Sequence, residues 1–565
     1  MGKSVCQYQP DNVVRLRRLT VRSFDHTYDV VVVGTGGAGL ATALGAIDEG
    51  LSVLLLESTD RWGGNTAMSG GGMWLPNNPL MQRAGAGDSR TEALEYMEAT
   101  IGVVGRASTH ERKEAYVDGV DDFVLTAEKH GIVFARATDY PDYYPELPGG
   151  KIGRAIEPKP FDVRQIGELA KSLRILMPLP MMTDDVWQIV RAWSTLDGFG
   201  RGARVVFRVL GGVITGKKLT GIGAGLAARL GHAVFVEGKA PLWLESPLEE
   251  LLLEGDRVVG VQVRKDGNPV TVGAKRGVML AAGGFDQNRA KRLELQGVEG
   301  TPSGSPGALG VPIDLAQQAG AAVELMEDAW WGASIAGPEG FGPSFLVGER
   351  SLPFSLIVDA RGARFANEAE YYVDLGHHML EHDKDGDYWF ILDARHRHRY
   401  LRSFALDPRL SKAMRAEGIE VKADTLEELA ERLDLDKATF RSTVERLNGF
   451  ARTGRDQDFG KGDSAYDRYY GDPTVRPNPC LGTIEKGPFV AYKIVVGDLG
   501  TKGGVVTDTD SRALREDGSV IEGLYSAGNN SASVMGHTYP GPGSTIGPAA
   551  VFGMRAARHM ARARG

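Results

Sequence analysis

The sequence predicts an α/β fold with three parts: a discontinuous Rossmann-like domain, an α+β domain that caps it, and a helical insert. A run of β-branched residues, Val30 to Val33, ends in a glycine-rich turn and an apolar helix, which is the pattern of a buried parallel strand. Two further strand-and-glycine segments come much later, at 276–288 and 521–533. Mixed strands and amphipathic helices separate them, so the first domain is predicted to be interrupted by a second.

The first glycine turn has the spacing of a dinucleotide-binding motif. Gly34, Gly36 and Gly39 spell G-x-G-x-x-G between a strand and a helix, where they permit a tight turn, close approach of a pyrophosphate and close helix packing. A second strand, Val53 to Leu56, ends in Glu57, whose carboxylate is placed to accept ribose hydroxyls. The residues expected to bind the dinucleotide here are Gly34, Gly36, Gly37, Ala38, Gly39, Glu57 and Ser58.

A second glycine turn directly after Glu57 favours FAD over NAD. It contains RWGGNT and SGGGMW, and it resembles the flavoprotein loop that covers the FAD pyrophosphate and leads to the isoalloxazine. The segments 276–288 and 521–533 resemble the strands that close a FAD domain. No His or Cys lies in a recognisable attachment motif, so the FAD is expected to be non-covalent. The further residues expected to bind it are Gly63, Gly64, Asn65, Thr66, Gly71, Gly72, Ala282, Gly283, Gly528, Asn529 and Ile546.

The order of these segments resembles the fumarate reductase and succinate dehydrogenase superfamily, in which a capping domain closes the substrate against the flavin. The capping domain is expected to contain a strand-like segment at 354–368 and helices at 425–435 and 437–451, where apolar residues recur at helical spacing. The predicted parts are an N-terminal extension (1–28), a FAD-binding domain (29–327 and 491–565) with an insert (175–220), and a catalytic capping domain (328–490).

Composition excludes several classes of protein. The 65 Lys and Arg against 73 Asp and Glu give a net charge of −8, which argues against a dedicated nucleic-acid binder. The two cysteines, Cys6 and Cys480, cannot form a disulfide framework, and the histidines lack metal-ligand spacing, so no metal is expected. The basic start of the chain has no apolar leader and no run of 18 apolar residues follows, so we expect a cytoplasmic protein.

The insert combines apolar bulk with positive charge. From Gly198 to His232 there are six basic residues and no Asp or Glu, and Trp193 and Phe207 lie close by. This pattern suits a patch that binds an anionic membrane surface, which would place the protein on the inner face of the cytoplasmic membrane. The alternative is a structural insert packed on a neighbouring subunit or on the FAD-binding domain. The sequence leaves both open.

The C-terminal segment indicates the chemistry. Tyr539 is followed by Pro-Gly-Pro-Gly and a helix predicted to begin near Ser544, which places a tyrosine hydroxyl beside glycine N–H groups. Such a neutral donor pair suits a carbonyl that must become an enolate. Together with GDLGTKGGVVTD (497–508), YPDYY (140–144) and RFANEAEYY (364–372), the YPGPGSTIG run (539–547) resembles the 3-ketosteroid Δ1-dehydrogenases over nearly the whole chain.

That resemblance implies a mechanism and a substrate. Tyr539 and the N–H of Gly543 would bind the C3 carbonyl of a 3-ketosteroid, and Tyr372 would remove a C2 proton with help from Tyr143. Hydride from C1 would pass to the flavin and then to an unidentified acceptor, such as a quinone. Tyr371 adjoins Tyr372, so an error of one residue in matching the chain to the family would make Tyr371 the base. The alternatives are C4–C5 desaturation of 5α-steroids and another fumarate-reductase-like flavin oxidoreductase. A third is a flavin electron carrier without small-molecule turnover, and the tyrosines argue against that one.

Overall fold

The computed structural model describes residues 17–18, 23–176, 178–402, 404 and 406–563. Most of the expected N-terminal extension, including Arg15 and Arg22, lies outside the described residues. Arg17–Arg18 form a short strand that pairs in parallel with Leu252 and Leu253 at the edge of a sheet.

The predicted parallel sheet is present at the centre of the FAD-binding domain. His26–Val33 lies between Val53–Leu56 and Asn268–Leu280, and both pairings are parallel. Val30 to Val33 are almost entirely buried. Val30 and Val32 pack with the helix Gly37–Asp48, and Val31 and Val33 pack in a second cluster with residues of Leu248–Glu254 and Arg257–Lys265. The last strand, Val520–Ser526, pairs in parallel with the end of Asn268–Leu280, so the late segments do complete the sheet. The other strands of this sheet are Leu242–Trp243, Leu248–Glu254, Arg257–Lys265 and Arg512–Leu514.

Two helices from opposite ends of the chain pack together on this sheet. Gly37–Asp48 follows the first glycine turn, and Ile546–Arg562 closes the domain, starting two residues later than predicted. They approach closely at small residues: a Cβ on Gly45 would lie 2.6 Å from the Met554 sulfur. The remaining helices around this domain are Gly64–Met68, Pro79–Arg83, Arg90–Thr100, His110–Lys129, Ile222–Gly231, Arg289–Gln296 and Val311–Gln318.

A second, antiparallel sheet forms the cap. Its strands are Ser344–Phe345, Ala329–Ile335, Phe489–Thr501, Tyr388–Leu392 and Ser355–Val358, with Glu420–Ala423 beside Phe489–Thr501. Of the predicted strand-like segment 354–368, only Ser355–Val358 is a strand. The two predicted helices are present as Leu426–Arg432 and Lys437–Thr453, and the other cap helices are Tyr372–Asp383, Ala394–Arg399, Pro408–Ala416 and Ala465–Tyr470.

The expected return to the FAD-binding domain at 491 falls inside Phe489–Thr501, a strand that pairs with three strands of the cap sheet and, through Asp498, forms one bridge to Pro302. We therefore propose that the cap extends to Thr501. Phe489 to Tyr492 are all apolar, so the sequence has no turn signal at 491.

The insert is helical, as predicted, and contains Thr183–Ile189 and Leu196–Ile214. It returns through Leu219–Thr220, which pairs with Phe161–Asp162. No helix among the described residues is long and apolar enough to cross a membrane. Smaller strands at Met73–Trp74, Phe134–Arg136 and Ala155–Pro158 form a three-stranded sheet, and Val323–Glu324 pairs with Gly504–Val505.

Candidate active site

A single elongated cavity of about 530 Å³ joins nearly all the predicted site residues. Every residue expected to bind FAD lines it except Gly39 and Gly63, and Tyr143, Tyr372, Tyr539 and Gly543 line it as well. Tyr371 is not among the lining residues, so the structure places the second tyrosine of the pair on the cavity.

The glycine turn has the geometry that close approach of a phosphate requires. Gly34 adopts φ +106°, and a Cβ there would lie 2.3 Å from the carbonyl oxygen of Ala281. Gly36 is extended, and the nearest atom to a Cβ built on it is the Thr66 Oγ1 at 3.8 Å. Space at Gly36 is therefore kept free by the protein, directly ahead of the helix N-terminus, which favours an anion.

The two predicted glycines that do not line the cavity stabilise the first glycine turn by packing and by a hydrogen bond. A Cβ on Gly39 would lie 2.1 Å from the Gly34 carbonyl oxygen, so this position serves close helix–strand packing. Gly63, at φ +105°, donates its N–H to Thr35 Oγ1 at 3.0 Å. Thr35 in turn donates to Glu57 Oε2 at 2.5 Å. These bonds tie the first glycine turn to the second.

Glu57 lines the cavity with unused hydrogen-bond acceptor capacity. Its side chain is 8% exposed and faces the cavity, and its Oε1 accepts the N–H of Thr59 at 3.1 Å. Oε2 accepts only the Thr35 hydroxyl among the described hydrogen bonds, so acceptor capacity remains toward the cavity.

Sequence reasoning missed a third loop against the cavity. Ser303, Gly304, Ser305 and Gly307 line it, and the Ser305 N–H donates to Asn65 Oδ1 at 2.6 Å. The cluster of Ser, Gly and Pro in TPSGSPGALG was the available signal. The insert also contributes lining residues, and nothing in the sequence indicated them: Met181, Thr183, Val186 and Trp187.

The far end of the cavity is a cluster of tyrosines. The ring centroids of Tyr372 and Tyr539 are 5.0 Å apart, and Tyr143 lies 5.5 Å from Tyr372 and 5.2 Å from Tyr539. Phe345 packs edge-on against Tyr372 at 5.3 Å, and Trp330 packs edge-on against Tyr539 at 5.3 Å. The three predicted tyrosines, from segments far apart in the chain, are thus in mutual contact.

Backbone hydrogen bonds hold this cluster together. The Tyr143 N–H donates to the carbonyl of Pro540 at 2.8 Å, and the Tyr96 hydroxyl donates to the same oxygen at 2.6 Å. The indole of Trp74 donates to Asp142 at 2.7 Å, and a Cβ on Gly541 would lie 2.2 Å from Trp74. The YPDYY segment is therefore fixed directly against the YPGPG turn.

The electrostatics of the cluster favour neutral tyrosines. Burial raises the pKa of Tyr372 well above 10, and the neighbouring Tyr539 raises it further, whereas an interaction with the Tyr143 hydroxyl lowers it. Burial likewise raises the pKa of Tyr539, against interactions with Tyr372, Thr545 and the N–H of Gly543. The Gly543 N–H and the Tyr539 hydroxyl therefore lie next to each other on the cavity wall. Tyr372 is the first residue of Tyr372–Asp383, at the positive end of that helix.

The histidines lie away from this cavity. His377 pairs with Asp328, His378 with Glu370 and His382 with Asp359. Among the described residues, no group of three His, Cys, Asp or Glu side chains could hold a metal ion.

Comparison with known proteins agrees with this geometry. The family model described as "FAD binding domain" matches residues 29–546. A 3-oxosteroid 1-dehydrogenase of Mycolicibacterium smegmatis is 44% identical over 94% of this chain and 97% of its own length, and one from Mycobacterium tuberculosis strain H37Rv is 42% identical over 96% and 99%. The solved 3-ketosteroid Δ1-dehydrogenase of Sterolibacterium denitrificans, in complex with 1,4-androstadiene-3,17-dione, superposes with a TM-score of 0.88 at 37% identity over 95% of this chain and 99% of that one.

The chain is thus a flavoprotein of the FAD-binding-domain family, and its cofactor is FAD. Within that family it belongs with the 3-oxosteroid 1-dehydrogenases, so the predicted α/β flavoprotein fold and the predicted kinship are both confirmed.

Proposed function

We propose that this enzyme introduces a 1,2 double bond into 3-ketosteroids. The observation that carries the proposal is the convergence of Tyr372, Tyr539 and Gly543 at one end of a cavity whose other end has the glycine cradle for FAD. Kinship with 3-oxosteroid 1-dehydrogenases supports the same substrate class. An apolar steroid matches the aromatic and aliphatic walls of the cavity.

Bound FAD supplies the hydride acceptor, and the glycine turns and Glu57 would hold it. The protein's own part is to polarise the ketone and move a proton. The Tyr539 hydroxyl and the Gly543 N–H would donate to the C3 oxygen, which acidifies the C2 hydrogens and stabilises the enolate. The Tyr372 oxygen would take the C2 proton, and Tyr143 would donate to that oxygen when it is ionised. Donation by Tyr143 and the helix N-terminus have to offset the raised pKa of Tyr372.

Product analysis with 5α-androstane-3,17-dione tests the position of the new bond. Desaturation at C1–C2 leaves a vinyl hydrogen on each carbon, whereas desaturation at C4–C5 leaves one vinyl hydrogen because C5 carries none. We expect the product with a vinyl hydrogen on each of two adjacent carbons. A product with a single vinyl hydrogen would replace the proposal with the C4–C5 alternative, and absence of turnover would favour an electron carrier.

We also infer that FAD is held without a covalent bond. No His or Cys is present among the described residues that line the cavity. Acid precipitation should leave the flavin in the supernatant, and yellow, flavin-bearing precipitated protein would contradict this.

The insert supports a membrane-facing surface. Leu196–Ile214 exposes a row of apolar side chains, including Leu196 at 92%, Phe207 at 71% and Ile214 at 85%. Its charge is more balanced than the sequence suggested: Arg208 pairs with Asp185 at 2.7 Å and Arg201 lies 3.5 Å from Asp184. Lys217 and Lys218 remain exposed. We therefore propose an anionic membrane surface as the partner, held mainly by apolar contact, and a quinone dissolved in that membrane as one electron acceptor.

Vesicle co-sedimentation tests this surface. The protein should pellet with anionic vesicles, and F207S together with I214S should weaken pelleting more than tenfold, since each buried side chain contributes about 1.5–3 kcal/mol. L293S is the matched control, because Leu293 is 55% exposed on a different helix. Failure of the wild type to pellet at low salt would favour the structural alternative.

A further inference from the structure

A chain of tyrosine hydroxyls continues behind the proposed base. The rings of Tyr372 and Tyr143 are 5.5 Å apart edge to face, and their hydroxyls interact. The ring centroids of Tyr143 and Tyr140 are 6.5 Å apart, and the Tyr143 hydroxyl lowers the pKa of Tyr140. The Tyr140 hydroxyl is hydrogen-bonded to that of Tyr470. All four side chains are at most 3% exposed. A buried hydroxyl is costly unless it is hydrogen-bonded, so these contacts are not incidental.

The chain joins separate elements of the fold. Tyr140 and Tyr143 belong to the turn-rich segment at 137–153, Tyr372 begins the helix Tyr372–Asp383, and Tyr470 ends the helix Ala465–Tyr470. Tyr470 therefore reaches from the cap onto the segment that fixes the YPGPG turn.

We propose that Tyr140 and Tyr470 are positioning residues for proton abstraction: acting through Tyr143, they align a row of donors toward the Tyr372 oxygen and stabilise its ionised form. This inference rests on the proposed function, in which Tyr372 is the base. A tyrosine hydroxyl accepts one hydrogen bond while donating another, so Tyr470 can donate to Tyr140, Tyr140 to Tyr143 and Tyr143 to Tyr372. In a low-dielectric interior each bond polarises the next, by about 10–30% per bond.

The surroundings of the chain favour neutral donors. Burial, followed by neighbouring tyrosines, raises the pKa of Tyr143 and Tyr470 well above 10, and burial raises that of Tyr140 despite its contacts with Tyr470 and Tyr143. Tyr140 also stacks on Tyr469, whose hydroxyl donates to Asp184 at 2.8 Å instead of joining the chain. The other ionisable groups that face the chain are Tyr371, Tyr466, Tyr469, Tyr539, Asp184 and, beyond Tyr466, Arg350.

The pH profile of kcat/KM tests the inference. Y140F and Y470F each remove one hydroxyl and keep the ring. Loss of a donor should raise the pKa of Tyr372, so the acidic limb should move to higher pH by about half a unit. Below the limb the variants should be roughly threefold slower than the wild type, and above it the profiles should converge. Y143F, which removes the direct partner, should shift the limb further.

Y469F is the matched control, because Tyr469 adjoins Tyr470 and stacks on Tyr140 but its hydroxyl goes to Asp184. It should retain the wild-type profile. Y140F and Y470F profiles that superpose on the wild type, or that fall by the same factor at every pH, would overturn the inference, since a purely structural loss does not move a pKa.

A spectroscopic titration separates this inference from the proposed function. The ionisation step of Tyr372 is the near-ultraviolet tyrosinate signal that the wild type shows and Y372F lacks. In Y140F that step should occur at higher pH than in the wild type. An unmoved step would overturn the inference even if the enzyme oxidises ketosteroids, and a moved step would support it even if the substrate class proved wrong.

Discussion

At the residue scale, two glycines of the first glycine turn have different roles although they are the same residue type. Gly34 and Gly36 are two residues apart, yet we assign Gly34 to the fold and propose that Gly36 serves the ligand. A methyl group on Gly34 meets backbone, whereas one on Gly36 meets the space in which a pyrophosphate would lie. The G-x-G-x-x-G spacing predicted both roles, because it carries the physical reason for each glycine.

Alanine at these two positions should separate the roles. G34A should destabilise the apoprotein by about 1–3 kcal/mol or more, because it combines a left-handed backbone with a 2.3 Å clash. G36A should leave the unfolding transition of the apoprotein unchanged and weaken FAD binding. Denaturant unfolding and flavin fluorescence titration measure the two effects. Equal stability of G34A and G36A would contradict this assignment.

The hydroxyl of Tyr539 should have a large effect on the rate. Y539F removes one of two donors to the C3 oxygen, so kcat/KM should fall roughly 10²–10³-fold with little change in thermal stability. Y144F is the control, because Tyr144 lies in the same cluster but its hydroxyl donates to Asp374 at 2.9 Å. A similar loss in both variants would indicate general disruption of the cluster.

At the element scale, the sequence predicted the strands and helices of both domains better than their junctions. Val53–Leu56 begins and ends where its β-branched and leucine run does, and Lys437–Thr453 follows its amphipathic pattern. The continuation of Phe489–Thr501 past 491 was not predictable, because Phe489 to Tyr492 are apolar and give no signal of a boundary there. The pairing of charges in the insert was not predictable either. Asp184 and Asp185 come close to Arg201 and Arg208 only in the folded chain.

The strand Ala155–Pro158 should make stability depend on pH. Glu157 is buried against Thr183 at the start of the insert, and burial followed by the charge of Asp184 raises its pKa from 4.5 to about 8. Because the folded state keeps a proton that the unfolded state releases, this group should lower the free energy of unfolding as pH rises from about 4.5 to 8.

E157Q should remove that dependence, since an amide cannot ionise and can still accept from the Thr183 N–H. The difference in free energy of unfolding between E157Q and the wild type should therefore shift by roughly 1–3 kcal/mol in favour of E157Q between pH 5 and pH 8. Thermal unfolding across this range measures the difference. If the stabilities of E157Q and the wild type changed with pH in the same way, the pKa assigned to Glu157 would be contradicted.

At the scale of the whole molecule, most of the FAD half of the site was predictable and the steroid half was predictable only in part. Motifs local in sequence identify the glycine turns, because each turn is built by neighbouring residues. The contact of Tyr140 with Tyr470 joins residues 330 positions apart, and only the folded cap brings them together. The lining by Met181 and Trp187 depends on where the insert packs, which its composition does not determine.

The central claim is that a 3-ketosteroid bound in this cavity gives hydride to FAD while Tyr372 acts as the base. Anaerobic mixing of the purified holoenzyme with 4-androstene-3,17-dione, followed by flavin absorbance, tests it most directly. The wild type should bleach and yield a steroid two hydrogens poorer, whereas Y372F should bleach roughly 10²–10⁴-fold more slowly. A wild-type flavin that stays oxidised, or a Y372F flavin that bleaches at the wild-type rate, would contradict the claim.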